Sequence, residues 1–291
     1  KYEPDRNTTV RNWLDNQRDF ECTNTTTWWE VVQFAMSKKA YEIASSAQRY
    51  AVPNIKMLPA LLTMSDTLRS LYGQDSAILT EAKRLLLGFV SQYPSLCRPS
   101  VYDFQDTDVC IIDLNKVTQD SGPEGTRRTS IAYMVSRYLL GKDFLLNKDI
   151  LLEMPPMAQD FYKSKVSQLE VVRKYLIYDE FHRTKGATAV RRTVLDDMRN
   201  GRKFNLMVML ASQNFNDFDD DVVQQATVRF VMRVDSPEDA DELVKKYGWS
   251  DTVRKALVRK VKGAGKDGAT MLMHASGLKS DDSQCTQILT N

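Results

Sequence analysis

One short segment restricts the fold of this chain more than any other: an apolar run that ends in two adjacent acids. Residues 174–184 read KYLIYDEFHRT, in which the run Tyr175 to Tyr178 is followed at once by Asp179 and Glu180. An apolar run without alternation is typical of a strand buried on both faces in a parallel sheet. The acids then lie at the carboxyl end of the strand, the edge at which open α/β sheets bind ligands.

The two acids have two interpretations. Unneutralised carboxylates at this edge have the form of a Walker B element, in which the first acid holds Mg²⁺ and a following glutamate polarises the attacking water. The same pattern also occurs where the acids cap the next helix or face solvent, and a short motif alone does not separate these cases. Other residues of the chain are needed to distinguish a nucleotide site from a solvated strand end.

Composition excludes several classes of function. The chain has 291 residues, which is enough for a sizeable core in one or two domains. Its 40 basic and 38 acidic residues give a formal net charge of +2. Because no global field favours nucleic acid, we predict no direct DNA binding. The four cysteines are widely spaced without a CxxC pair, so we expect reduced thiols and no zinc site.

The sequence also limits the expected location. No apolar stretch approaches the roughly 18 residues that a membrane-spanning helix needs, and the first residues, KYEPDR, resemble neither a signal peptide nor a transit peptide. We therefore expect a cytosolic protein that is soluble, or peripheral to a membrane at most. The sequence begins without an obvious first element, which indicates a fragment of a longer polypeptide.

Residues 1–100 predict an all-helical subdomain. A capping box at Thr27 opens a predicted helix over about 28–50, and the apolar spacing continues in helical register. A second helix is predicted over about 61–71 with Gly73 as its C-cap, and a third from Ser76 to near Pro94. No segment of β character interrupts this stretch.

Residues 101–291 predict an α/β domain, because short apolar strands alternate with helices. The predicted strands cover about 109–112, 175–178, 206–211, 229–234 and 269–275. The predicted helices cover about 126–140, 156–172, 187–200, 220–226, a segment opened by Ser236, and 251–262. A Gly/Pro loop, Ser121 to Gly125, precedes the first of these helices.

Two further groups could join the acids. The predicted strand over 206–211 ends in Ser212 and Gln213, from which Gln213 could hydrogen-bond a γ-phosphate or its water as a sensor, or simply tie down a loop. Arg199 and Arg202 flank Gly201, a plausible C-cap, just past a predicted helix. Basic residues there usually serve the helix dipole or solvent; the functional interpretation is an arginine finger for a neighbouring subunit.

In this order, the motifs resemble a known family. YLIYDE (175–180), a helix, GRK (201–203) and MVMLASQ (207–213) resemble the motor domain of the type IV secretion and conjugation ATPases of the VirB/TraC type, within the FtsK/HerA group. The CIIDL segment (110–114) with its following loop and helix is similar to that family as well. YDEFHRT and ASQNFNDF are most similar to the DotO/IcmB ATPases of type IVB (Dot/Icm) secretion and their conjugative TraU relatives.

The resemblance implies a fold, an activity and a site. The fold would be a RecA-like P-loop NTPase with a parallel sheet flanked by helices and a preceding helical subdomain, and the activity would be ATP hydrolysis with Mg²⁺. Asp179 would coordinate Mg²⁺ through water, and Glu180 would be the catalytic carboxylate. Gln213 would be the sensor. Arg202 would be the finger acting in trans, with Arg199 as its competitor.

The resemblance also implies partners and a location. The parent protein would be a homo-hexamer with sites at subunit interfaces, peripheral at the cytoplasmic side of the bacterial inner membrane. It would act with an inner-membrane secretion complex and a second, DotB-like hexameric ATPase on a protein or nucleoprotein substrate. The alternatives are a DNA translocase or coupling protein of the FtsK/HerA kind, and a catalytically silent assembly scaffold.

One expected motif is absent from the sequence, the Walker A pattern G-x-x-x-x-G-K-[ST]. The nearest look-alike, GAGKD at 263–267, has Asp267 where Mg²⁺ needs a hydroxyl, and it follows a predicted helix. We interpret it as a turn before the last strand with Lys266 solvated. In the resembled family the phosphate loop precedes the helical subdomain. We therefore expect that loop upstream of Lys1, and no hydrolysis by this chain alone.

Two charged clusters have simple interpretations. The basic residues of the predicted helix over 251–262 form a solvated face, or a subunit contact as the minority interpretation, with Val253, Leu257 and Val261 inward. The four aspartates at 217 and 219–221 are interpreted as dipole partners of the short helix that follows. Both clusters could instead be complementary surfaces in a ring.

Overall fold

The computed structural model describes residues 1–73, 76–98, 107–118, 122–266, 268–277 and 284–290. The chain groups into two compact units. The helical unit comprises residues 1–110 and 147–168, and the strand unit comprises residues 111–146 and 169–291. Each unit has its own hydrophobic core and is described by itself.

The described residues contain more helices than the sequence predicted, since the first helix was not predicted and two predicted helices are each divided. The helices are α1 (Thr8–Asp15), α2 (Trp28–Ser37), α3 (Tyr41–Ala51), α4 (Leu58–Met64), α5 (Asp66–Tyr72), α6 (Ala77–Gln92), α7 (Gly122–Gly141), α8 (Pro156–Val171), α9 (Thr188–Gly201), α10 (Asp220–Gln225), α11 (Pro237–Tyr247) and α12 (Asp251–Lys260). The strands are β1 (Lys174–Tyr178), β2 (Leu206–Leu210), β3 (Val228–Val231), β4 (Gly263–Gly265), β5 (Gly268–Ser276) and β6 (Gln284–Thr290).

Helix α2 begins at the predicted capping box. The Thr27 backbone N–H donates to Glu30 Oε2 at 2.6 Å, and the Glu30 N–H donates to Thr27 Oγ1 at 3.2 Å. The prediction of one helix over 28–50 is wrong, because Lys39 adopts a left-handed backbone with φ 57° and separates α2 from α3. The predicted helix over 61–71 is likewise divided at Ser65, whose hydroxyl caps α5.

The core of the helical unit lies among its first three helices. Aromatic packing is dense there, with the Trp28 ring 4.7 Å from Tyr2 and 4.6 Å from Tyr50, centroid to centroid. Helices α4 to α6 bury little, since Pro59 alone among their described residues is buried and Met64 remains 72% exposed. The main hydrophobic cluster of this unit therefore belongs to α1 to α3, while α8 buries Ala158 and Val166.

In the strand unit, β1 and β2 form a parallel pair, in register from Lys174 opposite Leu206 to Tyr178 opposite Leu210. This pair with its flanking helices confirms the predicted α/β class. Leu176 and Tyr178 are buried, in a cluster with residues of α7 and α9. The prediction of burial on both faces is wrong for β1, because Ile177 on the other face is 65% exposed. In the described residues, helices cover one face of the pair.

Both ends of β1 are anchored. Lys174 is buried at the start of the strand, where Nζ donates to the Leu169 carbonyl at 2.8 Å, and burial lowers the pKa of this amine. Phe181, just past the two acids, is fully buried. The strand therefore runs between two fixed points, with the acids held at its carboxyl end.

The end of α9 needs a glycine for a different reason than the sequence indicated. Gly201 is the last residue of the helix and has an ordinary helical φ of −56°, so it is not a left-handed C-cap. A Cβ at this position would lie 2.7 Å from the Leu206 carbonyl oxygen. Gly201 thus permits the close approach of α9 to the beginning of β2.

The remaining strands form an antiparallel sheet, which the alternation of strands and helices did not predict. Its order is β3, β5, β4, with β6 also pairing with β5. The look-alike of a phosphate loop lies in the hairpin between β4 and β5, where Gly265 pairs with Gly268. The predicted turn is confirmed and Lys266 is exposed, while Asp267 lies outside the described residues.

The predicted strand over 109–112 is wrong. These residues have no strand structure, and Val109 and Ile111 are 76% and 88% exposed. None of the described strands pairs with this segment, and an extended segment without a hydrogen-bonded neighbour does not form a strand. Of the predicted Gly/Pro loop, Ser121 lies outside the described residues, and Gly122 already begins α7.

Helix α12 carries the predicted basic cluster on its outer side. Leu257 and Val261 are fully buried, with Val253 packed against the same core, as predicted. Arg254 is ion-paired with Asp241 of α11, and Lys255 Nζ lies 2.6 Å from a carboxylate oxygen of Asp251 in the first turn. Arg254 and Lys255 of the basic cluster therefore have acidic partners within the strand unit; the other members are Arg259, Lys260 and, just past the helix, Lys262.

None of the helices in the described part of the chain is long and apolar enough to cross a bilayer.

Candidate functional site

The carboxyl ends of β1 and β2 lie side by side. Beyond the strands themselves, the Ala211 N–H donates to the Tyr178 carbonyl at 2.9 Å, and the Phe181 N–H donates to the Ala211 carbonyl at 2.8 Å. The parallel pairing thus continues into the loops that follow both strands. As a result, the acids after β1 lie next to the polar residues after β2.

Glu180 occupies an unusual backbone conformation. Its φ of 53° and ψ of 44° are left-handed, a region that costs a residue with a Cβ about 1–2 kcal/mol. The Asp179 side chain supports this turn, because Oδ1 accepts the Glu180 N–H at 2.9 Å. A short 3₁₀ turn, Phe181–Thr184, follows at once. Strained residues of this kind cluster at functional sites.

Gln213 contacts Glu180 directly. Its Nε2 lies 3.2 Å from Glu180 Oε1 and 3.1 Å from Oε2, so the amide donates to the carboxylate across the two loops. Gln213, the predicted sensor, therefore lies beside Glu180, the predicted catalytic acid. Asp179, Glu180 and Gln213 are brought together.

His182 is a third neighbour of Glu180, and the sequence did not indicate it for this position. Its Nδ1 lies 3.1 Å from Glu180 Oε2, and each side chain is 35% exposed. This nitrogen is buried, and its angles to the carboxylate fall outside those of a hydrogen bond. Its position two residues after Glu180 was the one sequence signal for this contact, which forms because a 3₁₀ turn follows Glu180.

The loop after β2 is fixed by Asp217. Its Oδ2 accepts the Ser212 hydroxyl at 2.6 Å and the Asn214 N–H at 3.2 Å. The Ser212 Oγ in turn accepts the His182 backbone N–H at 3.2 Å. The interpretation of Asp217 as a dipole partner of α10 is therefore wrong, because its carboxylate ties the two site loops together.

The neighbouring aspartates have separate tasks. Asp219 is the N-cap residue of α10, as the dipole interpretation expects, and it also pairs with Arg191 of α9, whose Nη1 lies 2.7 Å from Asp219 Oδ2. Asp220 and Asp221 lie in the first turn of α10, where negative charge is favourable, as predicted.

The charged neighbours of Asp179 and Glu180 bear on what the site can bind. Among the described residues, no lysine or arginine forms an ion pair with Asp179 or Glu180. Arg183 instead donates from Nη1 to Thr118 Oγ1 at 3.0 Å. Carboxylate oxygens without a counter-ion are ligands that suit a hydrated Mg²⁺. Asp179, which is exposed and bonded only through Oδ1 within the described residues, fits such an ion.

The site rests on a buried polar pair. Arg137 of α7 donates from Nε and Nη2 to the two oxygens of Asp197 of α9, at 2.9 and 2.5 Å. The Tyr178 ring lies beside Tyr133, with centroids 6.4 Å apart. Burial and the nearby Asp197 raise the pKa of Tyr178. These contacts tie α7 and α9 together beneath β1.

The pKa of Tyr133 depends on the charges of the site. Burial raises the pKa of its phenol, Arg183 opposes that effect, and Asp179 and Glu180 raise the pKa further. The Tyr133 hydroxyl therefore remains protonated close to both acids.

The structure does not bring Arg202 or Arg199 to Glu180 within the chain. Both are exposed at the end of α9, on the side from which β2 begins. The five residues of β2 span about 17 Å at the usual strand rise. The two arginines therefore lie at the opposite end of the parallel pair from Glu180 and Gln213.

No protein-family profile matches the chain, and no curated protein is similar to it in sequence. Among solved structures, the chain is similar to VirB4 of Thermoanaerobacter pseudethanolicus. The sequence identity is 14% and the TM-score is 0.46, with 90% of this chain and 68% of the VirB4 chain covered.

Proposed function

We propose that this chain supplies the Walker B and sensor part of an ATPase of the type IV secretion kind, with a RecA-like domain built on the β1–β2 pair. One observation carries the proposal: Glu180, at the carboxyl end of β1, is met by Gln213 from the end of the neighbouring strand, at 3.1 and 3.2 Å. Two unneutralised acids and an amide at this edge are the groups that orient a water for attack on a phosphoryl group.

Each residue has a distinct role in this proposal. Asp179 would hold Mg²⁺ through water, and the ion would supply neutralisation of the phosphate charge when bound. Glu180 would accept a proton from the attacking water or orient it, as a general base does. Gln213 would keep the Glu180 carboxylate in place and would lie within reach of the terminal phosphate.

The finer parts of the proposal follow the sequence resemblance. The phosphate loop would come from a segment other than these 291 residues, since the Walker A pattern is absent from them. Arg202, or its competitor Arg199, would act as a finger on a neighbouring subunit of a hexamer, because both lie far from Glu180 of their own chain. The unit would belong to a type IVB (Dot/Icm-like) apparatus at the cytoplasmic face of the inner membrane. A second, DotB-like ATPase and a protein or nucleoprotein substrate would be its partners.

The test is ATP turnover by the full-length protein with matched variants. We expect Glu180→Gln to lower kcat by about 10²–10⁴-fold while Mg-ATP binding is retained, because the amide cannot act as a base. Arg202→Ala should also lower turnover, and Arg192→Ala, at an exposed position of α9, is the control. If Arg202 acts in trans, mixing the two inactive variants should restore part of the turnover.

Three results would redirect the proposal. Unchanged turnover in Glu180→Gln would remove the Walker B assignment and favour an assembly scaffold. Loss of turnover in Arg199→Ala, with Arg202→Ala unaffected, would move the finger to Arg199. A turnover that depends on added DNA, with an affinity that falls steeply with salt, would favour a DNA translocase.

A further inference from the structure

The starting observation is the position of His182 against Glu180. The imidazole Nδ1 is buried and lies 3.1 Å from Glu180 Oε2. The distance would allow a hydrogen bond, but the angles between the two groups do not. No other described polar atom meets this nitrogen. A buried polar nitrogen without a partner costs about 1–3 kcal/mol, so a small rotation of either side chain that completes the bond is favourable.

The framework fixes the main chain of His182 before any ligand arrives. Its backbone N–H donates to Ser212 Oγ at 3.2 Å, and that hydroxyl donates to Asp217 Oδ2 at 2.6 Å. The preceding residue, Phe181, is fully buried and stacks on Phe218 with ring centroids 6.0 Å apart. The imidazole is therefore presented to Glu180 by a turn that is anchored on both sides.

Glu180 has one neighbour on each loop. Gln213 reaches both carboxylate oxygens from the loop after β2, while His182 lies against Oε2 from the 3₁₀ turn. The two Gln213 hydrogen bonds restrict rotation of the carboxylate about its last bond, and a hydrogen bond from His182 Nδ1 would restrict it further. A side chain held in this way loses little further entropy when it engages a water.

We propose that His182 is a positioning residue for Glu180: its Nδ1, together with Gln213, sets the direction in which the Glu180 carboxylate faces a water or substrate hydroxyl. The inference rests on the proposed function, and it adds a role for a residue to which neither the Walker B assignment nor the sensor assignment gives one. His182 itself makes no contact with the phosphate in this proposal. It acts through Glu180 alone.

The test compares three substitutions in the full-length protein. His182→Asn keeps an amide nitrogen near the position of Nδ1, His182→Gln moves the amide to the position of Nε2, and His182→Phe keeps the ring without nitrogen. We expect Phe and Gln to lower kcat for ATP by about 10–100-fold, the cost of a misdirected catalytic group. We expect His182→Asn to stay within about threefold of the wild type, with KM for ATP nearly unchanged in all three.

A second measurement does not depend on turnover. The Kd for Mg²⁺ with a non-hydrolysable ATP analogue should stay within about twofold in every variant, because His182 acts on Glu180 and not on the nucleotide.

A third measurement is the double variant. In a Glu180→Gln background, His182→Phe should add no further loss of kcat, since residues that act as a unit are not additive.

The outcomes separate this inference from the proposed function. Equal loss in Asn, Gln and Phe, in parallel with a falling Tm, would assign His182 a structural role and overturn the inference. Unchanged kcat in both Gln and Phe would also overturn it, while loss in Glu180→Gln would leave the proposed function standing. If His182→Phe fails to fold, the Asn and Gln pair alone decides. If Glu180→Gln itself has no effect on turnover, the proposed function fails, and this inference fails with it.

Discussion

Two acids of the strand unit, Asp197 and Glu180, differ in burial and in whether they have a counter-ion. The Asp197 side chain is 4% exposed and is bound through both oxygens by Arg137. The Glu180 side chain is 35% exposed, and its polar neighbours are a neutral amide and an imidazole. A charge in the core needs an opposite charge, whereas a charge left without one at a sheet edge stays available for chemistry. The first acid maintains the scaffold that presents the second.

The largest expected effect is on the buried acid. Asp197→Ala should lower the free energy of unfolding by about 3 kcal/mol, because Arg137, whose side chain is only 20% exposed, would be left without a counter-ion. Urea denaturation followed by circular dichroism measures it. Asp196→Ala, at the exposed neighbouring position on α9, is the control and should change the value by less than about 0.5 kcal/mol. Equal effects in the two variants would contradict the distinction between the acids.

The second prediction separates strain from contact at Glu180. Glu180→Gly should raise the free energy of unfolding by about 0.5–1 kcal/mol, since glycine relieves the left-handed backbone but loses more entropy on folding. The same substitution should abolish turnover in the full-length protein. Lys39→Gly, at the exposed left-handed residue between α2 and α3, should stabilise similarly and leave turnover intact. A loss of stability in Glu180→Gly would show that the carboxylate contacts outweigh the strain.

The third prediction extends the comparison to a buried polar group without an ion pair. Burial lowers the pKa of His274, with Arg229 contributing, and its Nδ1 lies 2.8 Å from Thr286 Oγ1. The unfolded chain therefore binds a proton more readily than the folded protein. The corresponding stability is present above about pH 6.5 and is lost as the pH falls below that value.

Replacement of that histidine provides the test. We expect the Tm to fall between about pH 7 and pH 5, and we expect His274→Asn, which keeps a polar atom near Nδ1, to flatten this dependence. Thermal unfolding across this pH range measures it. An unchanged slope in the variant would assign the acid sensitivity to other groups.

The smallest expected effect on stability belongs to the residue with the largest proposed effect on turnover. Glu180→Gln should change the free energy of unfolding by less than about 0.5 kcal/mol, because the side chain is partly exposed and its amide replacement keeps the same shape. Chemical denaturation of the two proteins side by side tests this. A loss of 2 kcal/mol or more, on the scale of a broken buried network, would place Glu180 with Asp197 as a structural acid.

Local signals predicted much of this fold. The predicted capping box at Thr27 begins a helix, and the helix predicted to open at Ser236 does so through a capping box as well, since the bonds involved join residues three apart. The two apolar runs ending at Tyr178 and Leu210 are strands, and their parallel pairing brings Gln213 to Glu180. For the site, the sequence predicted two strands with polar groups at their carboxyl ends, while the pairing of these strands, which brings Gln213 to Glu180, is a long-range contact that local signals do not give.

Long-range pairing accounts for what the sequence did not predict. Arg137 and Asp197 are 60 positions apart, and neither position carries a local sign of its partner. The segment at 109–112 has the composition of a strand but no neighbour among the described strands. The contact of His182 depends on the left-handed turn at Glu180, which composition does not reveal in a glutamate.

The two anchored ends of β1 have a consequence for how the sequence can change over time. Lys174 and Phe181 are both buried, and between them lie the rest of β1 and then the two acids. Substitutions at the exposed positions, such as Ile177, leave this spacing intact. An insertion or deletion of one residue would turn every following side chain to the other face. Homologues that keep the chemistry should therefore vary in composition across these eight positions but not in length.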